Sequence, residues 1–157
     1  MRKRAWRTSR PTLKNLTAIK NRRFLALENP AFTGIGQVRA MARAYSAFAS
    51  GGSELGLRRE SLEALTAPPV LPSAGLRDQV LHVDVCFSLG FLRPFEGYRF
   101  GSSQRAFGAP GAGGSFAFAD PDAQVGFAYA PNKMAMTLLD DPREKALREA
   151  LYHRLGE

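Results

Sequence analysis

The stretch RAFGAPGAGGSFAFADPDAQVGFAYAPNKM, residues 105–134, decides the fold. Four glycines, Gly108, Gly111, Gly113 and Gly114, fall within seven residues. Two alternating runs follow. Phe116 and Phe118 alternate with Ala117 and Ala119, and Val125, Phe127 and Tyr129 alternate with Gly126, Ala128 and Ala130. A period of two marks strands, and Asp120-Pro121-Asp122 between them is turn chemistry. The pattern predicts a β-hairpin over 115–119 and 124–130. One face of it is only Gly and Ala, so another element must pack closely there, and the C-terminal helix is the expected cover.

The glycines do not cradle a phosphate. A P-loop needs Lys and Ser/Thr directly after its last glycine, but Ser115 and Phe116 follow Gly114. A dinucleotide fingerprint needs a glycine at its sixth position and then a helix; from Gly111 the sixth position is Phe116, in a strand. The remaining role is steric: glycine at a strand entrance admits unusual dihedrals and lets a backbone or ligand come near.

Outward from this hairpin the chain is mixed α and β. Val38, Met41, Ala42, Tyr45, Phe48 and Ala49 keep helical spacing, and Gly51-Gly52 end that helix. Leu62 and Leu65 predict a short helix near 60–65, before a proline-rich connector at 66–75. Residues 83–91 alternate strictly and predict one strand with Val83, Val85, Phe87, Leu89 and Phe91 inward. Tyr98–Phe100 predicts a further short strand. At the C-terminus Asp141 is the expected cap of a helix, with Pro142 in its first turn and Glu144 closing a capping box. Leu147, Ala150, Leu151 and Leu155 form its expected apolar stripe, and His153 and Arg154 suit its negative end.

Composition narrows the class. The 157 residues are 45% hydrophobic, enough for one domain with a core. Cys86 stands alone, which excludes an internal disulfide and a cysteine-based zinc site. No apolar run reaches the ~18–20 residues of a membrane helix. Net charge is +8, and residues 1–23 carry nine of the 22 Lys/Arg but none of the 14 Asp/Glu. We therefore divide the chain into a basic, partly disordered lead, 1–27, and a domain, 28–157. The lead has no hydrophobic stretch of secretory type, which gives a cytoplasmic or unassigned location. Only Trp6 and Phe24 could stack on bases, which argues against a nucleic-acid partner.

The span from about Glu28 to Leu155 resembles the C-terminal part of serine hydrolases related to class C β-lactamases and penicillin-binding proteins, the carboxylesterases of that superfamily above all. RAMARAYSAFASGG (39–52), YRFGSSQRAFGAPGAGGSFAFADPDAQVGFAYAPNKM (98–134) and DDPREKALREALYHRL (140–155) carry the likeness, with Asn132-Lys133 where the family often has Asn and a basic residue. The resemblance implies an α/β (α+β) fold: an antiparallel sheet flanked by helices. It implies a small ester or β-lactam substrate, no metal and no cofactor. The family's third signature, Lys/His-x-Gly on the substrate-edge strand, falls on Ala109-Pro110-Gly111, and the amide after it, that of Ala112, is the implied oxyanion donor. Gly111 matches; Ala109 carries neither charge nor proton.

The other two signatures have no counterpart here. No serine has Lys three residues on, and none of Tyr45, Tyr98, Tyr129 and Tyr152 has Asn two residues on. Thr17-Ala-Ile-Lys20 imitates the first only by chance. No catalytic residue is therefore assigned, and the chain is expected to be a truncated form, inactive alone, with apolar surface left open to self-association. Weaker candidates are a metal on His82, Asp84 and Cys86 and a triad from Ser88 or Ser115 with His82 or His153; no Gly-x-Ser-x-Gly elbow supports the latter. The reading from a different class is a non-catalytic protein whose basic lead binds an anionic partner, nucleic acid or membrane.

Overall fold

The computed structural model describes residues 21–26, 28, 34–80 and 82–156. The chain divides into two compact units, Met1–Gly36 and Gln37–Glu157. In the first, a single helical turn, α1, spans Arg22–Leu25. The Thr17–Lys20 imitation and Trp6 lie outside the described residues.

The second unit is a five-stranded antiparallel meander with helices on both faces. Its strands are β1 (Phe87–Ser88), β2 (Phe91–Leu92), β3 (Phe107–Gly111), β4 (Ser115–Asp120) and β5 (Val125–Tyr129), in the order β1-β2-β3-β4-β5. Its helices are α2 (Val38–Ala49), α3 (Arg59–Thr66) and α4 (Pro142–Leu155), with a 3-10 turn at Ser53–Leu55. This matches the expected antiparallel sheet flanked by helices, and the β4–β5 hairpin falls where the alternation put it, with Phe118 opposite Phe127 and Ala119 opposite Gly126.

The sheet sorts its side chains by parity. Phe116 and Phe118 on β4 join Leu92, Tyr98, Phe100 and Ala106 in one cluster, against which Phe127 and Tyr152 pack. Phe107 and Ala119 join Ala49 in the other, with Tyr45, Phe48, Leu65 and Phe91 around them. Phe100, Phe107 and Phe118 are fully buried, each stabilising the fold by roughly 1.5–3 kcal/mol. Their rings meet edge-on, Phe100 with Phe116 at 5.0 Å and Phe91 with Phe107 at 5.1 Å.

The small-residue face is covered by α2, not by the C-terminal helix. A Cβ at Gly126 would overlap the Ser46 amide nitrogen and lie 2.7 Å from the Ala42 carbonyl. The backbone of α2 thus sits directly on the backbone of β5. The alternation showed that something must pack there but could not say which helix.

Four further expectations are corrected. Residues 83–91 do not form one strand. Leu89 (φ 49°) and Gly90 (φ 85°) both turn left-handed, folding the run into the β1–β2 hairpin. Cys86 is buried and Phe87 and Leu89 are exposed, the reverse of the expected facing. Tyr98–Phe100 is no strand: Tyr98 makes an isolated bridge to Phe95, although Tyr98 and Phe100 are core residues. The apolar stripe of α4 does not face the core, since Leu147 and Leu155 are 54% and 49% exposed. Glu144, Arg148 and Tyr152 face inward instead. Glu144 closes no capping box: it is buried and accepts from Arg148 Nε at 2.8 Å. Arg148 also donates to the Arg99 carbonyl and the Asp140 carboxylate, and Tyr152 donates to Asp120. A charge at the core boundary is tolerable when every donor finds an acceptor, and hydropathy alone cannot show that pairing.

Candidate functional site: the free edge of β3

β3 pairs with β4 along its whole length, from Phe107 opposite Ala119 to Gly111 opposite Ser115. On its other side β2 reaches it only at Leu92 opposite Gly108. Among the described residues, β3 from Ala109 onward therefore has an unpaired edge. Proline fixes the phase of the ladder. Pro110 stands opposite Phe116 and has no N–H to give, so this pair is of the non-bonded kind. Ala109 and Gly111 point their backbone groups at β4. Gly108 and Pro110 point theirs away, and the same alternation directs the N–H of Ala112 to the free edge. Ala109 and Ala112 are exposed; Pro110 and Gly111 are half-buried. The edge thus offers a carbonyl, that of Pro110, and an amide, that of Ala112, to a ligand laid alongside.

The glycine cluster shapes the turn that ends this edge. Gly113 and Gly114 both have left-handed dihedrals, φ 96° and 95°. A side chain at Gly113 would meet Met134 at 2.8 Å, and one at Gly114 would overlap the Asp141 carboxylate. The Ala135 amide donates to the Gly113 carbonyl at 2.9 Å. The cluster admits the segment before α4 against the β3–β4 turn. Asp141 is fixed there by Thr137 Oγ1 (2.9 Å) and by the Arg143 guanidinium (2.8 and 2.9 Å). The Arg143 hydrogen bonds hold its carboxyl well below the usual carboxylate range.

The other end of β3 is set by a residue the sequence reading missed. Arg93 is 1% exposed and follows β2. Its Nε donates to the Ala106 carbonyl (3.1 Å) and one terminal nitrogen to that of Gln104 (2.7 Å), both just before β3. The remaining donors reach the carbonyls of Leu65, Thr66 and Ala67 at the end of α3. Burial lowers its pKa. No motif marks it, and an arginine after two apolar residues reads as surface.

Among the described residues, no nucleophile and base come together at this edge. Burial pushes the Tyr45 phenol up to about 12 and raises that of Tyr98 as well, so neither is a base near neutrality. Among the described residues no hydrogen bond joins Ser88 or Ser115 to His82 or His153. His82 and Asp84 are exposed while Cys86 is buried, and among the described residues no group of three His, Cys, Asp or Glu is arranged to hold a metal. A cleft of about 640 Å³ lies between the end of α3 and Gln104–Arg105 and does not include the β3 edge. No helix among the described residues is long and apolar enough to cross a membrane.

An antiparallel sheet between helical layers, with one strand edge presented beside a glycine turn, is the arrangement of a domain of β-lactamase/penicillin-binding-protein-like fold. Comparison with known proteins places it: the family model described as Beta-lactamase matches residues 2–152, and the chain belongs to that family. It is 36% identical over 115 residues to the esterase/beta-lactamase LipL of Mycobacterium tuberculosis (strain ATCC 25618 / H37Rv), a match covering 73% of this chain and 26% of that protein. It superposes on a family VIII carboxylesterase with TM-score 0.65 and 34% identity, covering 75% of this chain and 31% of the other. A penicillin-binding-protein homologue from Caulobacter crescentus gives TM-score 0.63 and 37% identity, covering 73% and 30%. The chain thus spans about a quarter to a third of the length of these relatives.

Proposed function

We propose that this chain supplies the substrate edge of a β-lactamase-related serine hydrolase of carboxylesterase type. Ala109, Pro110, Gly111 and Ala112 form that edge. The carbonyl of Pro110 aligns an acyl substrate, and the N–H of Ala112 donates to the oxyanion as the carbonyl carbon becomes tetrahedral. The observation that carries the reading is the ladder phase at Pro110, which turns the Ala112 amide to the one stretch of β3 that nothing described covers. Ala109 offers no charge to an anionic substrate, so neutral esters suit the edge better than a β-lactam carboxylate. Acylation further needs a nucleophile and its base. Neither Ser-x-x-Lys nor Tyr-x-Asn occurs in these 157 residues, so turnover requires those groups from elsewhere.

The test is intact-mass analysis with a chromogenic p-nitrophenyl ester and a chromogenic cephalosporin. The chain alone should show no burst and no adduct. Mixed with a polypeptide carrying the Ser-x-x-Lys and Tyr-x-Asn segments of the family VIII carboxylesterase, it should restore ester hydrolysis, with the acyl group on the added serine. An adduct on this chain alone, or reconstitution that is indifferent to Ala112→Pro, would sink the proposal.

A further inference from the structure

The segment between β5 and α4, residues 133–141, runs over the β3–β4 turn and touches it at successive points. The Met134 side chain lies against Gly113, and the Ala135 amide donates to the Gly113 carbonyl at 2.9 Å. The Asp141 carboxylate fills the space that a side chain at Gly114 would need. Arg143 ties the two ends of the segment together. One terminal nitrogen donates to the Lys133 carbonyl (2.7 Å) and the other to Asp141 Oδ2 (2.8 Å). Asp141 is 3% exposed and both its oxygens are in use. Oδ1 accepts from the Arg143 amide and Nε, at 3.0 and 2.9 Å, and Oδ2 accepts also from Thr137 Oγ1 at 2.9 Å. The carboxylate therefore bears on Gly114 by contact, and its hydrogen bonds fix it in place.

Ala112 stands between two held residues. Gly111 before it pairs with Ser115, and its carbonyl accepts the Gly114 amide at 3.3 Å. Gly113 after it is held by Ala135. Gly111, Gly113 and Gly114 have no side chains to limit rotation, so the turn has much backbone freedom to lose. A fixed direction for the peptide between them has to be imposed from outside the turn. We infer that Asp141 is a positioning residue for the Ala112 amide: fixed by Thr137 and Arg143, it holds residues 133–141 against the turn and keeps that N–H aimed along the free edge of β3. The inference rests on the substrate-edge reading of Ala109, Pro110, Gly111 and Ala112, and supplies what makes that edge rigid. An oxyanion donor is effective when it is aimed before charge develops, because it then needs no reorganisation during the reaction. A misplacement of about 1 Å can cost about a hundredfold in rate. Ground-state alignment on the Pro110 carbonyl does not use the turn. A loosened turn should thus lower kcat and leave KM nearly unchanged.

Two variants separate this clamp from the cap of α4. In Asp141→Asn the amide oxygen still accepts the Arg143 N–H, but its NH2 group faces a guanidinium that has no acceptor. Thr137→Val removes one bond to Oδ2 and leaves the cap intact. Lys145→Ala is the control, since it removes only the neighbouring contact with Asp140 at 2.8 Å. Amide relaxation and hydrogen exchange are measured first on the full chain alone. In the parent, Ala112 and Gly113 should be as ordered as Phe118 in mid-strand. Exchange of the Ala135 amide should quicken about tenfold in Asp141→Asn and less in Thr137→Val, with the order of Ala112 falling in step, while the control matches the parent. The same chains are then mixed with the Ser-x-x-Lys polypeptide, and p-nitrophenyl ester hydrolysis is followed well below the melting temperature. Asp141→Asn should lower kcat about ten- to a hundredfold and leave KM within about twofold. An Ala112 amide equally ordered in parent and Asp141→Asn overturns the inference, whatever the mixtures do. So does an unchanged kcat, or a loss shared by Lys145→Ala, which would mark general loosening of α4. A parent mixture without turnover overturns the substrate-edge reading instead, and the relaxation result alone then decides whether Asp141 holds the turn.

Discussion

Arg93 shows how one residue can join three elements without an ionic partner. Its guanidinium carries five N–H donors, and the five acceptors within reach are all backbone carbonyls. Three of them close α3, where unsatisfied carbonyls and the negative end of the helix dipole gather. The dipole substitutes for a carboxylate, and the planar fork reaches the carbonyls before β3 at the same time. Lysine cannot replace it. An ammonium has three donors on one atom and cannot span both groups, so buried acceptors would be left bare. Arg93→Lys should therefore destabilise the fold by about 2–3 kcal/mol, read from urea unfolding followed by circular dichroism. A change below about 0.5 kcal/mol would show that the carbonyls are satisfied some other way.

Among the elements, α4 separates what pattern can reveal from what it cannot. Its cap was legible: Asp141 before Pro142 does accept the Arg143 amide at 3.0 Å. Its buried face was not, because hydropathy counts Glu144 and Arg148 as surface although they neutralise each other inside. The 83–91 run failed for a different reason. Strict alternation reads as a strand whether or not the backbone reverses, and only the left-handed pair Leu89-Gly90 reverses it. The β3 edge was not legible from pattern either, since Ala109-Pro110-Gly111 has no alternation; the family likeness marked it. The cap also carries a pH prediction. Asp141 titrates below its unfolded value, so its contribution is present above about pH 4 and is lost as pH falls through its folded value. Asp141→Asn keeps an acceptor for the cap but removes the titration. Its melting temperature should start lower at pH 7 and fall less steeply than the parent's between about pH 4 and 2. Parallel curves would show that the carboxylate is not the group involved.

For the whole molecule, two clusters on opposite faces of one sheet provide the core, while large apolar side chains remain outside it. Val70 is 93% exposed, Met136 82% and Val80 79%. In a chain matching about a quarter to a third of its relatives' length, such side chains are surface that the rest of a larger domain could cover. Their burial here contributes almost nothing, so polar replacements should be nearly free in stability. Val70→Thr, Val80→Thr and Met136→Gln together should change unfolding free energy by less than about 0.5 kcal/mol per site, while raising the solubility limit and lowering binding of a hydrophobic dye. If the triple variant instead loses more than about 1 kcal/mol per site, these side chains are covered in solution and the surface is already occupied.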